Sequence, residues 1–103
     1  MNENVVLSGA EQDLFIHYCD LERRAEGRGD RMNADFLATL DLLALNPHME
    51  AQNLKSIRKW SLLDWGLGIY YAVEGGRNMI LAVQHLRQNP KKIRAILKSR
   101  MPQ

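Results

Sequence analysis

The dipeptide Asn46-Pro47 divides this chain into two kinds of pattern. Proline lacks an amide hydrogen and pushes the residue before it out of the α region, so a helix does not continue through it. Before this point apolar residues recur at helical spacing; after it they run in short blocks rich in β-branched and aromatic residues. Leu14, Tyr18, Leu21 and Ala25 form one stripe, widened by Phe15 and Cys19, and predict a helix over 10–26 that stops at Gly27. Ser8-Gly9-Ala10-Glu11 has the form of a capping box at its start. Gly27-Arg28-Gly29-Asp30 leaves room only for a turn, with Asp30 as the cap of a second helix. Phe36, Leu40 and Leu43 repeat along that helix, with Leu37 and Ala44 beside them. Two helices joined this closely form an antiparallel hairpin.

The remaining segments predict strands. Residues 4–7 precede the hairpin as a first strand. Residues 57–63 mix basic and apolar side chains and lead into a turn at Asp64-Trp65-Gly66. Residues 67–73 carry Ile69, Tyr70, Tyr71 and Val73, types that favour pleated, half-buried backbone. Adjacent glycines in Glu74-Gly75-Gly76-Arg77-Asn78 supply the positive φ of a hairpin loop. Residues 79–85 are nearly all apolar, as a central strand covered on both faces would be. Asn89-Pro90 then starts a last helix, whose Ile93, Ile96, Leu97 and Met101 share a face. The order is β-α-α-β-β-β-α: an α+β chain with helices packed on one face of a mainly antiparallel sheet, expected as a single domain over 1–103.

Composition excludes several classes. With 46% hydrophobic and 25% charged residues the chain has an ordinary globular balance, not that of a disordered protein. Its longest apolar runs, 69–73 and 79–83, fall far short of the roughly 20 residues of a membrane helix. Met1-Asn2-Glu3-Asn4 has neither the positive charge nor the apolar stretch of a secretory signal. The lone Cys19 forms no internal disulfide, which fits a reducing cytoplasm. Charge is unevenly divided: residues 1–50 carry four Lys or Arg against ten Asp or Glu, net −6, and residues 51–103 carry ten against two, net +8. Such a field steers an acidic partner or a nucleic acid toward the second half.

No cofactor or metal is expected. His17, Cys19, His48 and His85 are scattered, and His17 and Cys19, two apart on a helix, point away from one another. Gly66-Leu67-Gly68 lacks the third glycine of a dinucleotide motif and enters a strand, whereas that motif opens a helix. Cys19, within the apolar stripe, reads as a buried small hydrophobe. The candidate binding residues are basic: Lys55, Arg58, His85, Arg87, Lys91, Lys92 and Arg94. Arg58 and its neighbour Lys59 lie on one strand and point to opposite faces, so only one of them joins a given patch. Arg87 follows His85 by two and leaves the same side if the strand persists. A His–Arg pair beside a phosphate could serve as acid and charge stabiliser in RNA cleavage. Trp60, Trp65, Tyr70 and Tyr71 read as sheet core rather than as base-stacking platforms.

Three stretches taken in order carry a resemblance: the helix hairpin with Leu54-Lys55-Ser56-Ile57-Arg58; Gly66-Leu67-Gly68-Ile69-Tyr70-Tyr71-Ala72-Val73-Glu74-Gly75; and Ile80-Leu81-Ala82-Val83-Gln84-His85-Leu86-Arg87-Gln88-Asn89-Pro90. Together, from Val5 to about Ile93, they resemble the ParE/RelE superfamily of toxins from bacterial type II toxin–antitoxin modules. The resemblance implies a RelE/ParE-like fold with the helical hairpin packed on the sheet. It is closer to ParE, the plasmid-stabilisation branch, than to RelE. The arginine usual before the strand's Ile-Tyr is replaced by Leu67-Gly68, and 89–103 contains no tyrosine of the kind RelE-like nucleases use. His85 matches the histidine that ends the last strand of many ParE-like members, while the usual glycine and final arginine fall on Leu86 and Gln88.

The resemblance therefore implies a cytoplasmic toxin that inhibits DNA gyrase without being an enzyme, held in a hetero-oligomer with a protein antitoxin. The alternatives are a ribosome-dependent mRNA endoribonuclease, with Arg58, Lys59, His85 and Arg87 as its catalysts, and a non-toxic antitoxin-binding member. Antitoxins of this class fold an acidic segment around the toxin, and a basic sheet and last helix would recruit it. The groove between the helix hairpin and the sheet edge is the expected dock. Charge reversal of Lys91, Lys92 and Arg94 is then expected to slow association and reduce its salt dependence.

Overall fold

The computed structural model describes residues 1–48, 52–54 and 56–101. Strand β1 (Glu3–Val6) leads into helix α1 (Ser8–Arg24) and helix α2 (Arg28–Leu45). Strands β2 (Gln52–Leu54), β3 (Ile57–Leu62), β4 (Leu67–Glu74) and β5 (Arg77–His85) follow, with a 3₁₀ turn at Leu63–Trp65, and helix α3 (Pro90–Arg100) closes the chain. The five strands lie in the order β1-β5-β4-β3-β2. β1 runs parallel to β5 and every other pair is antiparallel. The α+β order read from the sequence holds, with the short β2 added beside β3.

The helices divide between both faces of the sheet. The hairpin packs Leu21, Met32, Phe36, Leu40 and Leu43 against Leu67, Ile69, Tyr71, Ile80 and Val83. Helix α3 covers the opposite face, where Ile93 and Leu97 meet Ile57, Tyr70, Ala72, Met79, Leu81 and Ala82. Residues 78–83 of β5 are accordingly buried throughout. The sequence reading had all helices on one face; the second apolar face of β4 and β5 requires a cover of its own, and α3 supplies it. A bulge in β5, where Tyr70 pairs with Ala82 but Tyr71 with Ile80, leaves Leu81 without a partner and puts it on the α3 side.

Local chemistry explains the joints. Gly75 and Gly76, both at positive φ (59° and 76°), make the two-residue turn between β4 and β5. Asn89 caps α3 by accepting from the Lys91 amide at 2.9 Å, with Pro90 in the first turn. The two other cap assignments change. Helix α1 begins at Ser8 itself, with Leu7 at the cap position, so no Ser8–Glu11 capping box forms. Helix α2 begins at Arg28, and a carboxylate from the preceding helix takes the place of Asp30. Glu22 accepts from the amides of Gly27 (3.1 Å), Gly29 (2.8 Å) and Asp30 (3.3 Å). A negative group at a helix N-terminus satisfies its unpaired amides and complements its dipole. At the other end of α2, the fully buried Asn78 donates to Leu43 O at 2.9 Å and Asn4 donates to Leu40 O at 2.7 Å.

The buried stripe of α1 is rotated from the one read in the sequence. Ala10, Asp13, His17 and Leu21 face inward; Leu14 and Tyr18 are half-buried, Ala25 is exposed, and Phe15 and Ile16 are 67% and 63% exposed. Cys19 is half-buried and stands outside the inward set, a correction to its reading as a buried core residue. The cause lies in β5. Strand β1 stops pairing at Val6–Ile80, so beyond that point β5 is paired only with β4 and its other edge has no strand beside it. Side chains fill the gap. Asp13 accepts from the Val83 amide at 3.0 Å, and His17 Nε2 donates to Val83 O at 2.7 Å. Arg100 donates to Leu81 O at 3.1 Å and grips both oxygens of Asp13, at 2.6 and 3.1 Å. Buried backbone groups demand partners, and here polar residues take inward positions to provide them.

Candidate functional site

The strand register decides which basic residues can act together. On β3, Arg58 pairs with Tyr71 and Lys59 with Tyr70. Tyr71 belongs to the hairpin face and Tyr70 to the α3 face, so Arg58 and Lys59 are split between the faces, as their adjacency predicts. His85 pairs with Leu67, which is on the hairpin face. Its ring stands edge-on to His17 of α1, with centroids 4.8 Å apart. Partial burial against α1 and the neighbouring His17 hold His85 below the ordinary histidine value of 6.5. Arg58, although on the same face, lies opposite Tyr71, four positions along β4 from Leu67. That separates it from His85 by about 13 Å along the strand direction at 3.3 Å per residue, besides the width of the intervening strand. Arg58 points to the end of α2, donating to His48 O at 3.5 Å.

Strand β5 ends at His85, so Arg87 does not continue on its side; it is exposed in the turn before α3. Lys91, Lys92 and Arg94 are exposed on α3. Lys55 lies outside the described residues. The four residues named as a nuclease set, Arg58, Lys59, His85 and Arg87, thus do not converge on one point.

What does converge is a smaller group on the α3 face. Ile57, Lys59 and Tyr70 from the sheet and Pro90, Ile93, Arg94 and Leu97 from α3 enclose a cleft of about 230 Å³. Tyr70 is only 4% exposed, and burial raises its hydroxyl pKa above the ordinary 10.0. Gly68 keeps this part of the sheet low: a Cβ there would stand 3.1 Å from Leu86 and 3.3 Å from the Tyr70 ring. The sequence marks Lys59 and Arg94 through their charge and reads Tyr70 as sheet core, where its burial in the α3-side cluster places it. Its alternation with Tyr71 placed it on the face of Lys59, and that was the available signal.

A second groove, of about 340 Å³, runs between α2 and the 3₁₀ turn, lined among others by Leu42, Leu62, Leu63 and Trp65. This is the hairpin-to-sheet groove expected as the dock, and its rim is acidic, with Asp35 and Asp64. Trp65 is fixed there by donating to Asp35 at 2.7 Å and by Arg28, whose guanidinium lies 5.4 Å from the ring centroid. Leu63 is 78% exposed on the turn. An acidic segment would meet like charge in this groove. The basic side chains named for such a segment lie elsewhere: Lys59 and Arg94 line the cleft under α3, and Lys91 and Lys92 are on its first turn.

Among the described residues no group of three or more His, Cys, Asp or Glu side chains is placed to hold a metal ion, and no helix is long and apolar enough to cross a membrane.

Comparison with solved structures shows that this α+β arrangement, a helical hairpin on a mainly antiparallel sheet, is a known fold. A chain from a chromosomal ParDE TA system from P. aeruginosa superposes with a TM-score of 0.72 at 16% identity, covering 82% of this chain and 96% of that one. No family model matches the sequence, and no curated protein matches it.

Proposed function

We propose that this chain is the toxin component of a type II toxin–antitoxin module, that it inhibits DNA gyrase, and that a cognate antitoxin neutralises it in a hetero-oligomer. The observation that carries the reading is the fold, shared over most of both chains with a chain of a ParDE toxin–antitoxin system. The dispersal of the basic set supports an inhibitor over a nuclease. Acid–base cleavage of RNA needs its groups within hydrogen-bond reach of one phosphate, and Lys59 and His85 stand on opposite faces of the sheet. Gyrase and the antitoxin are cytoplasmic proteins, so the reading assigns the chain to that compartment.

A brief induced pulse of the chain alone in bacterial cells tests this, with DNA and protein synthesis followed separately. DNA synthesis is expected to stop first while protein synthesis persists. Immediate loss of protein synthesis would overturn the reading in favour of mRNA cleavage, and no effect on either would favour a non-toxic antitoxin-binding protein.

A further inference from the structure

The outer side of helix α1 carries its charges and its apolar surface in a self-complementary order. Residues four apart on a helix form a ridge, and Glu11, Phe15, Cys19 and Arg23 read along it as acid, aromatic, thiol and base. Phe15 and the neighbouring Ile16 are both largely exposed, near the midpoint of a helix that spans Ser8–Arg24. Phe15 stands between two shallow grooves. One, of about 450 Å³, lies beside Ser8, Gln12 and Ile16; the other, of about 310 Å³, lies beside Leu14, Tyr18 and Asn33. The charges at the ends of the ridge are poorly matched within the chain. Glu11 is in no ion pair among the described residues. Arg23 shares the one carboxylate of Asp20 with Arg24, at 3.4 Å against 3.0 Å, and its side chain is 76% exposed. Glu11 and Arg23 are separated by about 18 Å of helix at 1.5 Å per residue, so neither neutralises the other within one chain.

We infer that the outer side of α1 is a contact between two copies of this chain, packed antiparallel about a two-fold axis that passes between Phe15 and Cys19. A two-fold contact uses the same patch on both copies, so that each residue meets its counterpart's partner in return. In the register that sets Phe15 of one copy against Cys19 of the other, each aromatic ring enters a groove beside the opposite ridge. The same register brings Glu11 of each copy to Arg23 of the other, so both ends of the contact join opposite charges. A parallel arrangement would set Glu11 against Glu11 and Arg23 against Arg23, and the charge order therefore selects the antiparallel one. Phe15 and Ile16, left in water by the isolated chain, are the apolar centre of the contact, and the charged residues are its rim. A pair of 17-residue helices makes an interface at the small end of stable contacts, so the dimer forms over the micromolar range and not at every concentration.

Sedimentation equilibrium of the full chain across the micromolar range is the test. The mass is expected to rise with concentration from the 11.8 kDa of one copy toward twice that value. Phe15→Ser is expected to weaken self-association by about tenfold or more, because a symmetric contact loses the anchor twice. Glu11→Lys and Arg23→Glu are each expected to weaken it about fivefold. Both together in one chain restore opposite charges across the axis and are expected to bring association back to within about twofold of the starting chain. Leu45→Ser, at an exposed apolar position on α2, is expected to change it less than about twofold. Circular dichroism of each variant separates lost association from lost fold. One mass at every concentration would overturn the inference and leave this side of α1 to a different protein. Association that survives Phe15→Ser would overturn it by placing the contact elsewhere, and a double charge reversal no tighter than the single ones would overturn the antiparallel register. These measurements use the purified chain alone and do not depend on its action in cells, so this contact and the toxin reading fail separately.

Discussion

The two faces of the central sheet receive unequal cover. On one, helices of 17 and 18 residues lie side by side over Leu67, Ile69, Tyr71, Ile80 and Val83. On the other, a single helix of 11 residues covers Tyr70, Ala72, Met79, Leu81 and Ala82 and leaves a cleft beside β3. The hairpin layer is acidic, and Phe15, Ile16, Leu37, Leu42 and Leu45 stand exposed on its outward side. The α3 layer is basic, and Ile93 and Leu97 point into the sheet beside the cleft. The difference teaches that two long helices bury one face with apolar surface to spare on their outer side, while the single basic helix on the other face buries its apolar residues and leaves mainly charge in solvent.

Breaking the heavier layer carries the largest expected effect. Phe36→Ala, at a fully buried hairpin position, is expected to cost about 4 kcal/mol in urea unfolding, and Leu97→Ala on the α3 side about 3 kcal/mol. A larger loss from Leu97→Ala would reverse the ranking of the two layers.

The junction between the layers comes next. Asp13 binds Arg100 through both oxygens and also receives Val83 and Gln84, tying α1, β5 and α3 together. Asp13→Ala leaves a largely buried guanidinium without its partner and is expected to cost about 3 kcal/mol. Asp20, which pairs with Arg23 and Arg24 in solvent, is the control, and Asp20→Ala is expected to change stability by less than about 0.5 kcal/mol. Equal effects in the same unfolding assay would mean that the buried pair does not hold the layers together.

Within the hairpin, Glu22→Ala removes the carboxylate that caps α2 and is expected to cost about 1 kcal/mol. Amide exchange should quicken at Gly29 and Asp30 ahead of the rest of α2; uniform quickening would argue against a capping role.

The smallest effect concerns protonation. Because the folded-state pKa of His85 is depressed, the unfolded chain binds its proton more readily. The contribution of His85 to stability is complete above the unfolded value near 6.5 and declines as pH falls through the folded pKa. An NMR titration should place the His85 midpoint below 6.5, and His17→Gln should move it upward by removing a neighbouring charge. An unmoved midpoint would mean that partial burial alone sets the shift.

Much of this architecture was legible in the sequence because local chemistry and global packing agree. Asn46-Pro47 ends α2, Gly75-Gly76 turns β4 into β5, and Asn89-Pro90 starts α3. The opposite orientation of Arg58 and Lys59 follows from strand alternation alone. The inward stripe of α1 was not legible, because Asp13 and His17 face inward to serve backbone groups of β5, about 70 residues further along the chain. Periodicity ranks side chains by hydrophobicity and misses a polar residue required by an unpaired strand edge. The cap of α2 was misread for a related reason: Asp30 is a good cap by type, but Glu22 reaches the same amides from the helix before. The cleft was half legible: charge marked Lys59 and Arg94 and alternation put Tyr70 on the face of Lys59, but the approach of α3 that closes the cleft depends on long-range packing that no spacing rule describes.

The proposed action on DNA gyrase, rather than on mRNA, can be tested with purified components. The most direct measurement adds the purified chain to purified gyrase and follows ATP-dependent supercoiling of relaxed plasmid, with a parallel digest of ribosome-bound mRNA. Supercoiling is expected to fall with increasing chain while the mRNA stays intact. Unimpaired supercoiling together with cleaved mRNA would contradict the account.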